Sequence, residues 1–267
     1  MLNNFNELQQ VKDRTLKILV LFSGGASGAR YLFESSGNHP GNYEIIGAIA
    51  DGGDSPGREL FRAREVPVEI MDTEKINHSE DEGDRFNYFK DLLDAVERYG
   101  PDLILLSGFM RVVRNPLLDE YAGRIINVHP ADLRVEENGK RKYRGTDTVY
   151  QTILAGEEEI RSTVHFVTAS VDEGPIIVVS EPVPINQDLV RGFRKFDAKE
   201  INKYAELLQE GMKWRCDGPA IKKALELIAD GDVLLAKEEV LLKSENGFTP
   251  GYYDLQKETI VGEKGHS

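Results

Sequence analysis

The run Arg124-Ile125-Ile126-Asn127-Val128-His129-Pro130 decides the fold class. Ile125 to Val128 reads as a buried strand, and Asn127 and His129 interrupt its apolar character towards the end. Polar groups placed so should emerge at the carboxyl edge of a sheet, where open α/β folds bind ligands. Asn127 and His129 are two apart and therefore point to the same side of the strand. A neutral amide then stands beside a group that titrates near neutrality. Further along, Ser162-Thr163-Val164-His165-Phe166-Val167 reads as another strand, and Asp172-Glu173-Gly174-Pro175 follows it. The carboxylate of Asp172 is suited to holding an imidazole in one tautomer. Each of these residues alone is an ordinary strand-end polar group; together they point to chemistry. His165 has the surroundings of a structural histidine and no catalytic role is assigned to it.

Outward from this run, strand-length apolar stretches recur at Ile18–Phe22, Glu44–Ala50, Val66–Ile70, Leu103–Leu106, Arg124–Val128, Ser162–Thr168 and Ile176–Val183. The first five alternate with helix-compatible stretches, roughly 28–35, 55–65, 84–99, 115–121 and 146–155. Such alternation predicts an α/β fold: a mostly parallel, Rossmann-like twisted sheet with helices on both faces. In Asp84–Tyr99 the residues Phe86, Phe89, Leu92, Leu93 and Val96 form one apolar face, and Gly100-Pro101 ends the helix. Two further helices are expected over 198–211 and 218–231, with Pro219 in the first turn of the second and Gly231 just past its end. We divide the chain into an N-terminal extension (1–15), a catalytic domain (16–237) and a charged C-terminal extension (238–267) with few core residues.

Thirty-three Lys and Arg against 46 Asp and Glu give a net charge of −13. That balance argues against nucleic acid as a partner, since a phosphate backbone demands a basic face. The single cysteine, Cys216, excludes an intrachain disulfide and a multi-cysteine metal site. His39, His78, His129, His165 and His266 show no paired ligand spacing, so no metal is expected. Neither a signal peptide nor an apolar run of membrane-spanning length is visible. A cytoplasmic monomer or homodimer acting on small molecules is the expectation.

Between the first strand and first helix lies Ser23-Gly24-Gly25-Ala26-Ser27-Gly28, where backbone N–H groups and the helix dipole are able to cradle an anion. The loop lacks the Gly-x-Gly-x-x-Gly pattern of dinucleotide sites in every register. Asp51, near the end of the second strand, imitates a ribose-binding acid, but without that pattern a NAD-dependent oxidoreductase is disfavoured.

Four segments in order carry a resemblance: Lys17–Gly24, Pro101–Arg111, the Asn127/His129 motif, and Ser162–Pro175. Together they resemble the folate-dependent formyltransferases from about Leu16 to Val233. The resemblance implies the formyltransferase fold and transfer of a formyl group from 10-formyltetrahydrofolate, a co-substrate, to a primary amine, that of phosphoribosylglycinamide. It implies catalytic roles for Asn127, His129 and Asp172. It further implies folate contacts from Arg85, Met110, Arg111, Val112, Val113, Asn127, Thr168, Ala169, Ser170 and Val171. Gly24, Gly25 and Ala26 match a loop that holds substrate phosphate, and Glu210 matches a ribose contact. The family commonly has Ser-Gly-Asn-Gly-Ser-Asn in that loop, so side-chain contacts are lost here and the amine is less fixed than the chemistry.

Alternatives on the same site are 10-formyltetrahydrofolate hydrolysis and transfer to another amine, such as an amino sugar. The short stretch before the first strand has no room for the regulatory domain usual in that hydrolase. A non-catalytic folate-binding protein would be expected to have lost Asn127, His129 or Asp172. Residues 134–144 form a charged loop longer than is usual in the family. We expect a solvated excursion there, the alternative being a lid whose Lys140, Arg141, Lys142 and Arg144 reach an anionic substrate.

Overall fold

The computed structural model describes residues 14–36, 41–77, 81–193 and 198–262. Most of the N-terminal extension, the last five residues, and His39, His78 and His266 lie outside these.

The apolar runs become the strands β1 (Leu16–Phe22), β2 (Tyr43–Asp51), β3 (Val68–Met71), β4 (Leu103–Leu106) and β5 (Ile125–His129). All five run parallel in the order β5-β4-β1-β2-β3. They are linked through helices α1 (Ser27–Ser36), α2 (Pro56–Arg62), α3 (Glu74–Asn77), α4 (Glu82–Tyr99) and α5 (Leu117–Glu120). After β5 come a small hairpin, β6 (Glu136–Glu137) and β7 (Lys140–Arg141), helix α6 (Thr148–Ala155) and the short strand β8 (Glu159–Ile160). Strands β9 (Thr163–Phe166) and β10 (Ile176–Val179) then extend the sheet, β9 antiparallel to both β5 and β10.

Strand periodicity decides which helix each side chain meets. In β1, Leu16, Ile18, Val20 and Phe22 join one core with residues of α1, while Leu19 and Leu21 join another with Phe89, Leu92 and Val96 of α4. Helix α4 is capped at both ends, at the second by the glycine that the sequence places there. Asp81 accepts the N–H of Gly83 at 2.6 Å, and Gly100 adopts φ +59° to return its N–H to the last turn. Each large apolar side chain fully buried in this way contributes about 1.5–3 kcal/mol.

Beyond β10 the chain forms β11 (Val183–Pro184), α7 (Gln187–Phe193), α8 (Ala198–Met212) and α9 (Gly218–Ala229). The two expected late helices meet through one π-helical turn, Lys213–Asp217. Pro219 has no N–H with which to close an ordinary i to i−4 bond, and the widened turn directly before it fits that deficit. Asp217 in this turn is buried and receives the Ser162 hydroxyl at 2.5 Å, with burial holding its carboxyl above the usual range. Gly231 lies just past α9 at φ +69°, as the sequence suggests.

The C-terminal residues pack more fully than their charge suggests. Strands β12 (Val233–Ala236), β13 (Glu239–Ser244) and β14 (Gly247–Pro250) form a three-stranded sheet whose Val240 and Leu242 join the main core. Strands β15 (Tyr252–Asp254) and β16 (Thr259–Val261) then complete a nine-stranded central sheet beside β10. Asp254, 1% exposed, pairs with Arg134 at 3.2 Å, and Arg134 also holds Asp132.

Candidate active site

Strand β5 lies antiparallel to β9, with Asn127 opposite His165 and His129 opposite Thr163. Cross-strand partners share a face, so Asn127, His129 and His165 form one polar patch. The patch stands on the face of the sheet near its carboxyl edge, rather than on the edge alone. Asp172 comes from the loop between β9 and β10, which folds back over that face. Its Oδ2 lies 3.4 Å from Nδ1 of His129 and its Oδ1 3.5 Å from Nε2 of His165. The Asn127 amide nitrogen lies 3.4 Å from the same His165 nitrogen. The three residues expected to act together are therefore joined, and His165 is joined with them. Its part was invisible along one strand; the β5–β9 register is the signal that exposes it.

Asp172 adopts φ +55°, an uncommon conformation for a non-glycine residue. The next turn leaves no room for adjustment: a Cβ on Gly174 would stand 1.7 Å from the Phe166 carbonyl oxygen. Burial acts to raise the Asp172 pKa, but the His165 bond, the His129 ring and the Gly145 N–H at 2.8 Å outweigh it and bring it down to about 2. The carboxylate is thus ionised across the neutral range.

His129 is 4% exposed, and burial holds its pKa below the usual value despite Asp172. Asp172 favours the protonated ring, but loss of hydration is the larger effect. Nε2 of His129 lies 2.9 Å from the Tyr143 carbonyl, which can only accept. Nδ1 faces a second acceptor, the Asp172 carboxylate; the neutral ring serves the nearer carbonyl with its one proton on Nε2 and gains a bond to Asp172 when it becomes protonated. Nδ1 of His165 donates to the Phe166 carbonyl at 2.9 Å, and its Nε2 faces both the Asn127 amide and Asp172.

The long loop is not the solvated excursion expected of it. Tyr143 is buried, its hydroxyl donating to Glu157 at 2.6 Å, and Lys142 pairs with the same carboxylate. Arg144 pairs with Glu173 at 2.7 Å, and Arg141 donates to the carbonyls of Asp172 and Gly174. Three of the four cations are thus bound to protein groups around Asp172 and α6, which also argues against a lid of free charges. The sequence showed their sign but not their partners.

In the glycine loop, added Cβ atoms on Gly24 or Gly25 would meet nothing within 4 Å, whereas Ala26 is buried at φ +48°. The N–H groups of Gly28 and Ala29 already donate to the Ser107 hydroxyl at 3.0 and 3.3 Å. The N–H groups these two residues would lend an anion are therefore already used within the protein.

Asp51 accepts from Ser23, Tyr88 and Arg111, so the acid weighed for a ribose is already committed to protein donors. Arg111 is anchored there and to Asn77 at 2.6 Å. Met110 and Val112 are exposed at 73% and 49%, while the Val113 side chain turns into the core with α4, leaving only its backbone for a ligand. Thr168, Ala169, Ser170 and Val171 are all exposed, with the Thr168 hydroxyl donating to the Ser170 carbonyl. Arg85 and Glu210 stand apart in short-range ion pairs with Glu82 and Lys213 on their own helical stretches. No described hydrogen bond or ion pair links either to the Asn127–Asp172 group. Among the described residues no cluster of three His, Cys, Asp or Glu is placed to hold a metal, and no helix is long and apolar enough to cross a membrane.

Residues 16–206 match the sequence pattern of the formyl transferase family. The chain belongs to that family. This formyltransferase is 28% identical to phosphoribosylglycinamide formyltransferase of Escherichia coli K12, over 64% of its own length and 74% of that protein. It superimposes on glycinamide ribonucleotide transformylase 1 of Symbiobacterium toebii with a TM-score of 0.65 and 27% identity, covering 85% of this chain and 94% of that one. A formyltetrahydrofolate deformylase of Pseudomonas syringae shares the fold alone, at 17% identity and a TM-score of 0.66 over 86% of this formyltransferase and 67% of the other chain.

Proposed function

We propose that this formyltransferase moves the formyl group of 10-formyltetrahydrofolate to the primary amine of phosphoribosylglycinamide, a step of purine biosynthesis. The observation that carries the reading is the Asp172 carboxylate held between His129 and His165, with Asn127 beside them on the same sheet face. The kinship with proteins named for this activity supports the choice of acceptor.

In the reaction the amine nitrogen bonds to the formyl carbon, the bond from that carbon to the folate nitrogen breaks, and a proton passes from the amine to the folate nitrogen. Negative charge develops on the formyl oxygen in between. Asn127 presents an amide hydrogen there, its nitrogen standing 3.4 Å from Nε2 of His165. His129 offers its Nε2–H once the oxygen displaces the Tyr143 carbonyl. Donors fixed before the reaction gain most where charge appears, and losing one costs on the order of a hundredfold in turnover.

Asp172 does not itself keep the travelling proton. Protonating a carboxyl with a pKa about 2 at pH 7 costs roughly 7 kcal/mol. Its part is to oppose the positive charge that develops on the amine or on His129, while water or the imidazole carries the proton. Exposed Met110, Val112 and Val171 supply apolar contact for a flat ring, and the Gly24–Ala26 loop faces the phosphate. Soluble binding of both small molecules side by side removes much of the entropic barrier to their meeting.

Purified protein incubated with 10-formyltetrahydrofolate tests this directly. Formyl transfer is expected only when phosphoribosylglycinamide is added. Equal release of formate without any amine would replace the reading with hydrolysis, and turnover only with an amino sugar would replace the acceptor.

A further inference from the structure

The hairpin β6–β7 and the residues just after it touch both members of the His129–Asp172 pair. Arg141 Nη1 donates to the carbonyl of Asp172 at 2.7 Å and to that of Gly174 at 2.8 Å. Its side chain is 12% exposed, and its Nε stands 3.9 Å from the Glu173 carboxylate between those carbonyls. Residues 172–174 therefore wrap around one guanidinium. On their other side they have no slack, because Gly174 is seated against the Phe166 carbonyl. The same short stretch sends the Arg144 guanidinium to Glu173, the Tyr143 carbonyl to His129 and the Gly145 N–H to Asp172.

We propose that Arg141 is a positioning residue, which fixes the left-handed backbone at Asp172 and so aims its carboxylate at His129 and His165. A guanidinium suits this task because its planar fork is rigid and stays charged, whereas a lysine would bring one flexible ammonium. The contact to the Asp172 carbonyl fixes the peptide plane that leaves its Cα, and the second contact at Gly174 keeps that plane from rotating. The long hairpin thus serves as a strut for the catalytic carboxylate, supplied by a segment that contributes no group to the reacting atoms. A displacement of about 1 Å at such a carboxylate is enough to cost on the order of a hundredfold.

This inference deepens the proposed reaction and rests on it only for the kinetic readout. Arg141→Ala is expected to lower kcat on the order of tenfold to a hundredfold with the KM for 10-formyltetrahydrofolate within about twofold. Millimolar methylguanidinium should restore part of the loss. Glu137→Gln, on the exposed arm of the hairpin, serves as the control and should behave as wild type.

A second readout needs no turnover: titration of the His129 ring protons by NMR in unliganded protein. The ring is faced by Asp172, His165, Arg141 and the Tyr143 carbonyl. If Arg141 positions Asp172, its removal lets the carboxylate swing away and the His129 pKa falls further. If Arg141 acts only as a neighbouring like charge, the pKa rises, and that result or no change overturns the proposal. Should Arg141→Ala fail to fold, Arg141→Lys keeps the charge, loses the fork and must show the same fall. A wild-type protein without formyl transfer but with this NMR response would sink the reaction assigned above while leaving the role of Arg141 standing.

Discussion

Oδ2 of Asp172 faces Nδ1 of His129 at 3.4 Å and takes the Gly145 N–H at 2.8 Å on the same oxygen. One carboxylate oxygen thus stands between a strand-end imidazole and the end of the long loop. Asp172→Asn keeps the shape and removes the charge. It should lower kcat by about a hundredfold or more while far-ultraviolet circular dichroism is unchanged. Turnover near the wild-type value, with chemistry rate-limiting, would show that the charge is not used.

The same carboxylate makes stability depend on acid. Its folded pKa, about 2, is below its unfolded value, so its contribution is complete above the unfolded value and is lost as pH falls through the folded one. The contribution is about 2 kcal/mol at pH 6 and about half of that at pH 3. Urea unfolding of wild type and Asp172→Asn at both values measures it. A difference that stays flat between them contradicts the depressed pKa.

Gly174→Ala tests the loop without touching a polar group. The new methyl would run into the Phe166 backbone, which cannot yield as a side chain tip would, so the loop carrying Asp172 must move. We expect a fall in kcat of about tenfold or more together with a lower melting temperature. A crystal structure of the variant with Asp172 still in place would remove the basis for this expectation.

Gly25→Val addresses the acceptor. Space is open around Gly25, so the side chain fits the fold but crowds whatever the loop binds. The KM for phosphoribosylglycinamide should rise severalfold while that for the folate substrate holds. An unchanged acceptor KM would mean that the phosphate is held elsewhere.

The strands that position the site were legible because each is a short apolar run with its own period, and Asn127, His129 and Asp172 lie at breaks in that pattern. The place of His165 in the group was hidden because its partners are not neighbours in sequence: Asn127 meets it only through β-pairing. The role of Arg141 was hidden for a related reason, since a cluster of Lys and Arg reads as solvated until its acceptors are known, and those here are main-chain carbonyls. The burial that keeps His129 below its usual pKa is reported by no local pattern. The C-terminal strands were obscured by their own composition, with Asp254 appearing as one more surface acid until Arg134 is seen beside it.

That last pair has a consequence for how the protein is made. Arg134 and Asp254 are 120 positions apart, and the strand holding Asp254 is seated beside β10 well after the strands of the site have been synthesised. Contacts of such long range close late, because the intervening chain must first give up its freedom. On the ribosome the strands of the candidate site therefore emerge with one flank of their sheet still open, an unpaired edge of the kind that invites association with other chains until β15 arrives to cover it.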